Sequence, residues 1–323
     1  MLPRDRVIAT IRHQKPDRIP LYGWLFANLK EPLTKAFGSV EAFEDKYEFD
    51  IAHLFGTAPW SVYTPEDLAT INRTGEPLPS SLLEINLPDP NTPAFYKDVI
   101  AGIKHHKEQR GRFVYVQTPG IFECLNGTFG IENHLGYLLE YEPELHQVYA
   151  RQAQWNKTWA MNCLDLGVDM IHVSDDWGAQ NSLMFSLELF RRLIKPYHRV
   201  VTEAVKQRGA FVSLHTDGNN NAAIPDILDL GFDVVHPWQE SAGMSLQDFH
   251  DHYRTRFTVM GGLDIQTTLG FGKYDQLRAA ILRLTSLFRD GGLILCTTHF
   301  VQDHCTLDEL TFAYDLLYET IRR

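Results

Sequence analysis

"GAFVSLHTDGNNNAAIPDILDLG", residues 209–231, contains one copy of the unit from which the fold is read. An apolar run at 211–214 gives way to a polar, glycine-bearing turn. Residues 222–230 then carry a helix-like pattern that ends at Gly231. A β-rich run, a turn and an amphipathic stretch closed by glycine spell strand, loop and helix.

The unit recurs along the chain. "RFVYVQTPG" (from Arg112) leads to a helical region beginning near Ile121, and "VDMIHVSDDWG" (from Val168) leads to "LELFRRLIKPYHRVVTEAVK". In that last stretch Leu187, Phe190, Ile194, Tyr197, Val201 and Ala204 recur at helical steps. "FDVVHPWQE", "RFTVMGGLDIQ" and "GLILCTTHF" each precede a further helix-like segment, and "RIPLYGW" and "FDIAHLF" bring the strand count to eight. Strict alternation means parallel strands with helical crossovers. The pattern predicts a single-domain (β/α)8 TIM barrel over residues 1–323. No glycine-rich phosphate fingerprint follows the first strand, which argues against a doubly wound dinucleotide fold. Residues 57–91 have weak periodicity and read as long loops over the barrel mouth.

Bulk properties narrow the function classes. The chain is 44% hydrophobic and 22% charged, as in ordinary globular proteins. No apolar run reaches the ~18 residues of a membrane helix. The charged N-terminal stretch lacks a signal-peptide core, so a cytoplasmic protein is expected. A net charge of −11 argues against nucleic acid and against highly anionic ligands. Cys124, Cys163, Cys296 and Cys305 are widely spaced and read as free thiols.

Chemistry in such a barrel sits at the C-terminal ends of the strands. Those ends carry Glu123, then Asp175 and Asp176, then His215 and Asp217, His236 and Gln239, Asp264 and Gln266, and Cys296 and His299. Polar groups at one end of a buried barrel must be solvated, paired or used. Asp217 either joins this site or caps the helix starting near Ala222. Trp177, Gln239, Asp264, Gln266, Tyr22 and Trp24 are candidates to line a substrate pocket. Phe26, Trp60 and Tyr63 either join them or pack.

Several segments, in order over nearly the whole chain, resemble the uroporphyrinogen decarboxylase superfamily: "RDRVIATIRHQKPDRIP", "TPGIFE", "SDDWGAQNSLMFSLELFRRLIKPYHR", "LHTDGN", "LDLGFDVVHPWQ", "GGLDIQTTL" and "GGLILCTTHFVQDHCTLDEL". The resemblance implies a (β/α)8 barrel, in agreement with the strand count. It also implies one of two chemistries. Uroporphyrinogen decarboxylases grip substrate carboxylates with an N-terminal R-x-x-G-R signature; here the region reads "LYGWLFANLKEPL", without arginine. In the other branch, methyltransferases exchange methyl groups with a corrinoid protein and bind zinc through H-x-C and a later cysteine.

At the positions matching that branch the chain has His215, Asp217 and His299. Two His and one carboxylate can hold zinc at a formal charge of about +1 in place of about zero, and Cys296 is a candidate further ligand. The resemblance therefore implies a metal-assisted methyltransferase that demethylates a small, O-methylated substrate and passes the methyl group to a separate corrinoid protein. Glu123, Asp175, Asp176 and His299 are its candidate catalytic groups. A decarboxylase acting on uroporphyrinogen or a related small acid is the alternative, and a non-catalytic small-molecule-binding barrel a third. A homo-oligomer is compatible with each.

Overall fold

The computed structural model describes residues 1–25, 29–55, 63–73 and 75–322. It is an α/β structure. The strands are β1 (Ile51–Leu54), β2 (Phe113–Pro119), β3 (Met170–Ser174), β4 (Phe211–His215), β5 (Val234–His236), β6 (Thr258–Leu263) and β7 (Leu293–Thr297). They form one seven-stranded sheet ordered as in the chain. The pairs β2–β3, β3–β4, β5–β6 and β6–β7 are parallel. Helices Glu142–Leu166, Lys195–Gln207, Ile224–Leu230, Leu246–His252, Tyr274–Leu287 and Leu307–Ile321 follow β2 to β7 in turn.

Eight strands were expected, and the eighth place is held by a single bridge. Leu21 pairs in parallel with Leu295 of β7. The Tyr22 N–H donates to the Leu295 carbonyl at 3.0 Å, and the Leu295 N–H to the Pro20 carbonyl at 2.9 Å. On the other side, Asp50 N–H donates to the Leu21 carbonyl at 2.9 Å, just ahead of β1. Pro20 has no N–H to extend the ladder. A side chain at Gly23 would strike the Tyr314 hydroxyl, so this segment runs tight against the core. Residues 57–91, read as loops, contain helices Pro65–Arg73 and Pro79–Leu83.

The chain packs as two compact units. The first comprises Met1–Ala52, His106–Val114 and Asp233–Arg323. An ion network bolts its N-terminal segment: Arg6 and Arg18 donate to Asp50 at 2.5 and 2.8 Å, Arg6 also reaches Asp17, and Asp50 accepts the Leu21 N–H. Asp50 is fully buried, so the two guanidiniums replace the water it lost.

The second unit comprises His53–His105 and Tyr115–Phe232. Its longest helix, Glu142–Leu166, starts with Pro143 in its first turn and ends at Gly167 in the left-handed conformation. Leu145, Val148, Tyr149, Ala153, Trp159, Ala160 and Cys163 form its buried face. Gln152 and Asn156 are also on that face. The Gln152 amide donates to the Gly120 carbonyl and the Asn156 amide to the Pro119 carbonyl at the end of β2. Among the described residues no helix is long and apolar enough to cross a membrane.

Candidate active site

The register of β2, β3 and β4 explains why their polar ends gather. Pro119 is level with Ser174, and Ser174 with His215. The residues that follow, Glu123, Asp175, Asp176 and Asp217, therefore leave the sheet at one edge of the second unit. No Lys or Arg occurs in residues 119–125, 175–186 or 216–223, which carry these groups.

Glu123 sits in a short turn, Glu123–Leu125. The Ser174 hydroxyl lies 3.4 Å from its carboxylate. Burial, then the charges of Asp176 and Asp175, push its pKa up to about 8. At neutral pH it holds a proton, the state a general acid needs. Asp175 is fully buried and accepts the N–H groups of Phe122 and Glu123 together with the Trp177 indole and His198. Burial alone would raise its pKa. The His198 bond and charge, with the Glu123 N–H and the Trp177 indole, outweigh that and hold it below the ordinary value.

His215 ends β4 and is 5% exposed. Burial lowers its pKa against the opposing charge of Asp176, so the ring is neutral and can offer a nitrogen lone pair. Asp176 Oδ1 lies 3.7 Å from His215 Nε2 and accepts the Asp217 N–H at 2.7 Å. The Asp217 turn is fixed further by Asn220, whose amide donates to the Asp217 carbonyl at 2.9 Å. The following helix runs Ile224–Leu230 with Ala223 at its N-cap, well beyond Asp217. Gly178 and Gly218 let the loops after β3 and β4 meet backbone to backbone: a Cβ on either would strike the other loop.

Trp177 is buried, against Phe190 and His198, with its indole on Asp175. His172 and His53 were missed by sequence reasoning because they lie inside strands, away from the polar ends. His172 Nδ1 lies 2.7 Å from the Ser213 hydroxyl, and His53 stacks on Tyr115. The one available signal was an imidazole within each apolar run.

The first unit has its own polar strand ends. Trp24 stacks on His236 at 4.8 Å and meets the rings of His299 at 6.2 Å and Phe300 at 4.6 Å. His236 Nε2 lies 3.3 Å from the Thr297 carbonyl. Asp264 Oδ1 caps its own turn through the Gln266 and Thr267 N–H groups. The Gln266 amide accepts from Ser241, and Gln239 is buried. Tyr22 is buried edge-on to Phe49. Cys296 is buried, and burial pushes its thiol well above the ordinary value. Tyr63 is buried, and Phe26 and Trp60 lie outside the described residues.

These features define a parallel α/β protein with acidic and imidazole groups at its strand ends. The model of the family "Uroporphyrinogen decarboxylase (URO-D)" matches residues 123–319, more than half of the chain, and the protein belongs to that family. No curated protein matches the sequence significantly. Among solved structures, a methyltransferase from Methanosarcina mazei is similar over 99% of both chains, with a TM-score of 0.75 and 16% identity. At that identity the likeness shows the fold. A sugar phosphate isomerase/epimerase from Parabacteroides distasonis is similar at TM-score 0.47 and 12% identity over 93% of this chain and 96% of its own. That degree of likeness carries no argument.

Proposed function

We propose that the protein is a methyltransferase on a closed, single-domain (β/α)8 barrel. It removes a methyl group from the oxygen of a small neutral substrate and delivers it to a corrinoid protein. The observation that carries this reading is Glu123, next to the Ser174 hydroxyl at the end of β3, a carboxyl group that keeps its proton to about pH 8 because of burial and the charges of Asp176 and Asp175. Breaking a methyl–oxygen bond leaves a basic oxygen, and a held proton is what that oxygen requires. The methyl carbon passes without its bonding pair to the acceptor's nucleophile, the pair stays on oxygen, and the Glu123 proton neutralises it. Family membership and the whole-chain likeness to a methyltransferase support the same branch.

The donor chemistry suits zinc: a neutral, buried imidazole at His215 and a carboxylate at Asp217, with His299 as the third ligand of the set. Bound zinc would supply Lewis acidity to the substrate oxygen. Cys296, buried in β7, remains the candidate further ligand, since a bound zinc would itself deprotonate a coordinating thiol. Asp176 orients the ligand pair by holding the Asp217 N–H and standing beside His215. The segments that carry these groups, residues 119–125, 175–186 and 216–223, contain no Lys or Arg to pair with the carboxylates of a tetrapyrrole, which counts against the decarboxylase alternative.

The test is a methyl-transfer assay with small methyl ethers and free cob(I)alamin as acceptor, run beside a uroporphyrinogen assay. Formation of methylcobalamin that Glu123→Gln abolishes supports the proposal. Coproporphyrinogen without methylcobalamin transfers the protein to the decarboxylase branch, and inactivity in both leaves a binding barrel.

A further inference from the structure

Asp175 looks catalytic in the sequence, yet its carboxylate is already fully engaged. Oδ1 accepts the backbone N–H of Phe122 at 2.9 Å and of Glu123 at 2.7 Å. Oδ2 accepts the Trp177 indole at 2.9 Å and faces His198 Nε2 at 2.6 Å. A carboxylate offers about four lone-pair sites, so none is left for a substrate. The side chains of Asp175 and His198 are 0% and 1% exposed. The approach is built in: a Cβ at Gly120 would strike Asp175 Oδ1 and the Ser174 carbonyl, so only glycine lets the carboxylate reach under the turn. His198 comes from the buried face of the helix Lys195–Gln207, where its ring meets Trp177 edge-on at 5.1 Å and its Nε2 faces Asp175.

We infer that Asp175 and His198 are a buried positioning dyad for Glu123. His198 holds Asp175 in place as an anion, and Asp175 grips two consecutive N–H groups of the Phe122–Glu123 turn. The dyad thus fixes where the Glu123 carboxyl stands and keeps a negative charge beside it. Glu123 also faces Asp176 and Asp217, and Asp175 lies near Cys124, Tyr149 and His134. Of these, His134 stays neutral, its pKa lowered to about 3 by burial, so it does not substitute for His198. The inference rests on the reading of Glu123 as the proton donor, but its test reads the proton and not turnover.

The experiment is a 13C NMR pH titration of the full chain carrying δ-labelled glutamate, with the Glu123 signal identified by its loss in Glu123→Gln. The wild-type midpoint is expected at about 8. Asp175→Asn and His198→Phe should each lower it by about one unit, because the neighbouring negative charge is lost. The double variant should fall no further than Asp175→Asn alone, and His198→Gln, which keeps an N–H donor, should restore most of the shift. An unchanged midpoint in folded His198→Phe, or a double variant showing the sum of both shifts, overturns the inference. Should His198→Phe fail to fold, an unchanged midpoint in Asp175→Asn overturns it equally. Failure here leaves methyl transfer standing, and absent methyl transfer leaves the dyad standing.

Discussion

Asp176 Oδ1 accepts the backbone N–H of Asp217 at 2.7 Å, so the loop after β3 holds the turn after β4 in place. The same carboxylate lies 3.7 Å from His215 Nε2. One side chain therefore sets both the position of one proposed metal ligand and the charge beside another. Asp176→Ala should cost about 1–3 kcal/mol by leaving the Asp217 N–H without this acceptor. It should also weaken zinc binding roughly 10–100-fold. Urea unfolding and a competitive zinc titration check the two effects separately.

Glu123 carries a stability cost. Its pKa rises from 4.5 unfolded to about 8 folded, so between those values the folded state binds the extra proton. Stability then falls as pH rises across that window, by about 1.4 kcal/mol per unit. Glu123→Gln removes the penalty. It should stabilise the protein clearly at pH 8 and little at pH 5, measured by denaturant unfolding, while activity is lost.

His53 and His134 pull in the opposite direction. Burial lowers both to about 3, so the unfolded chain takes up their protons first. Stability should fall as pH drops below the ordinary histidine value of about 6.5, by about 1.4 kcal/mol per unit for each ring. His134→Phe should flatten that acid slope, since its ring already stacks on Phe122 at 4.5 Å. Unfolding midpoints between pH 7 and pH 4 give the slope directly.

The buried Asp50 ties Arg6, Arg18 and the Leu21 N–H into one bolt. Arg18→Ala leaves that carboxylate with an incomplete partner set and should destabilise by about 3–5 kcal/mol. Replacing the exposed Lys15, which pairs with Asp290 on the surface, should change stability by less than about 1 kcal/mol. Thermal unfolding of the two variants separates the cases.

The alternation of strand and helix was legible from β2 to β7 because each unit carries its own period and its own glycine or polar turn. The strand ends followed from that alternation, which is why Glu123, Asp176, His215 and Asp217 could be named in advance. The eighth place, read from "RIPLYGW" as a full strand, is reduced to the Leu21 bridge, because the Pro20 backbone and the crowding at Gly23 depend on partners far along the chain. Helices Pro65–Arg73 and Pro79–Leu83 are too short to impose a period. The partnership of Asp175 with His198 was out of reach because it joins residues that no local period relates. Nothing local tells that His198, on the helix Lys195–Gln207, turns its Nε2 toward a carboxylate just past the end of β3. "RDRVIATIRHQKPDRIP" marked the family by resemblance, but its physical role as the Asp50 bolt needed the fold.

In the proposed function the strand ends of β2 to β4 join a proton-holding Glu123 to a zinc site at His215 and Asp217. Bound zinc in protein purified without added metal tests it most directly, measured in the wild type and in His215→Ala and His299→Ala. Near-stoichiometric zinc is expected in the wild type and is expected to be lost from both variants. A metal-free wild type that also fails to take up added zinc would contradict it.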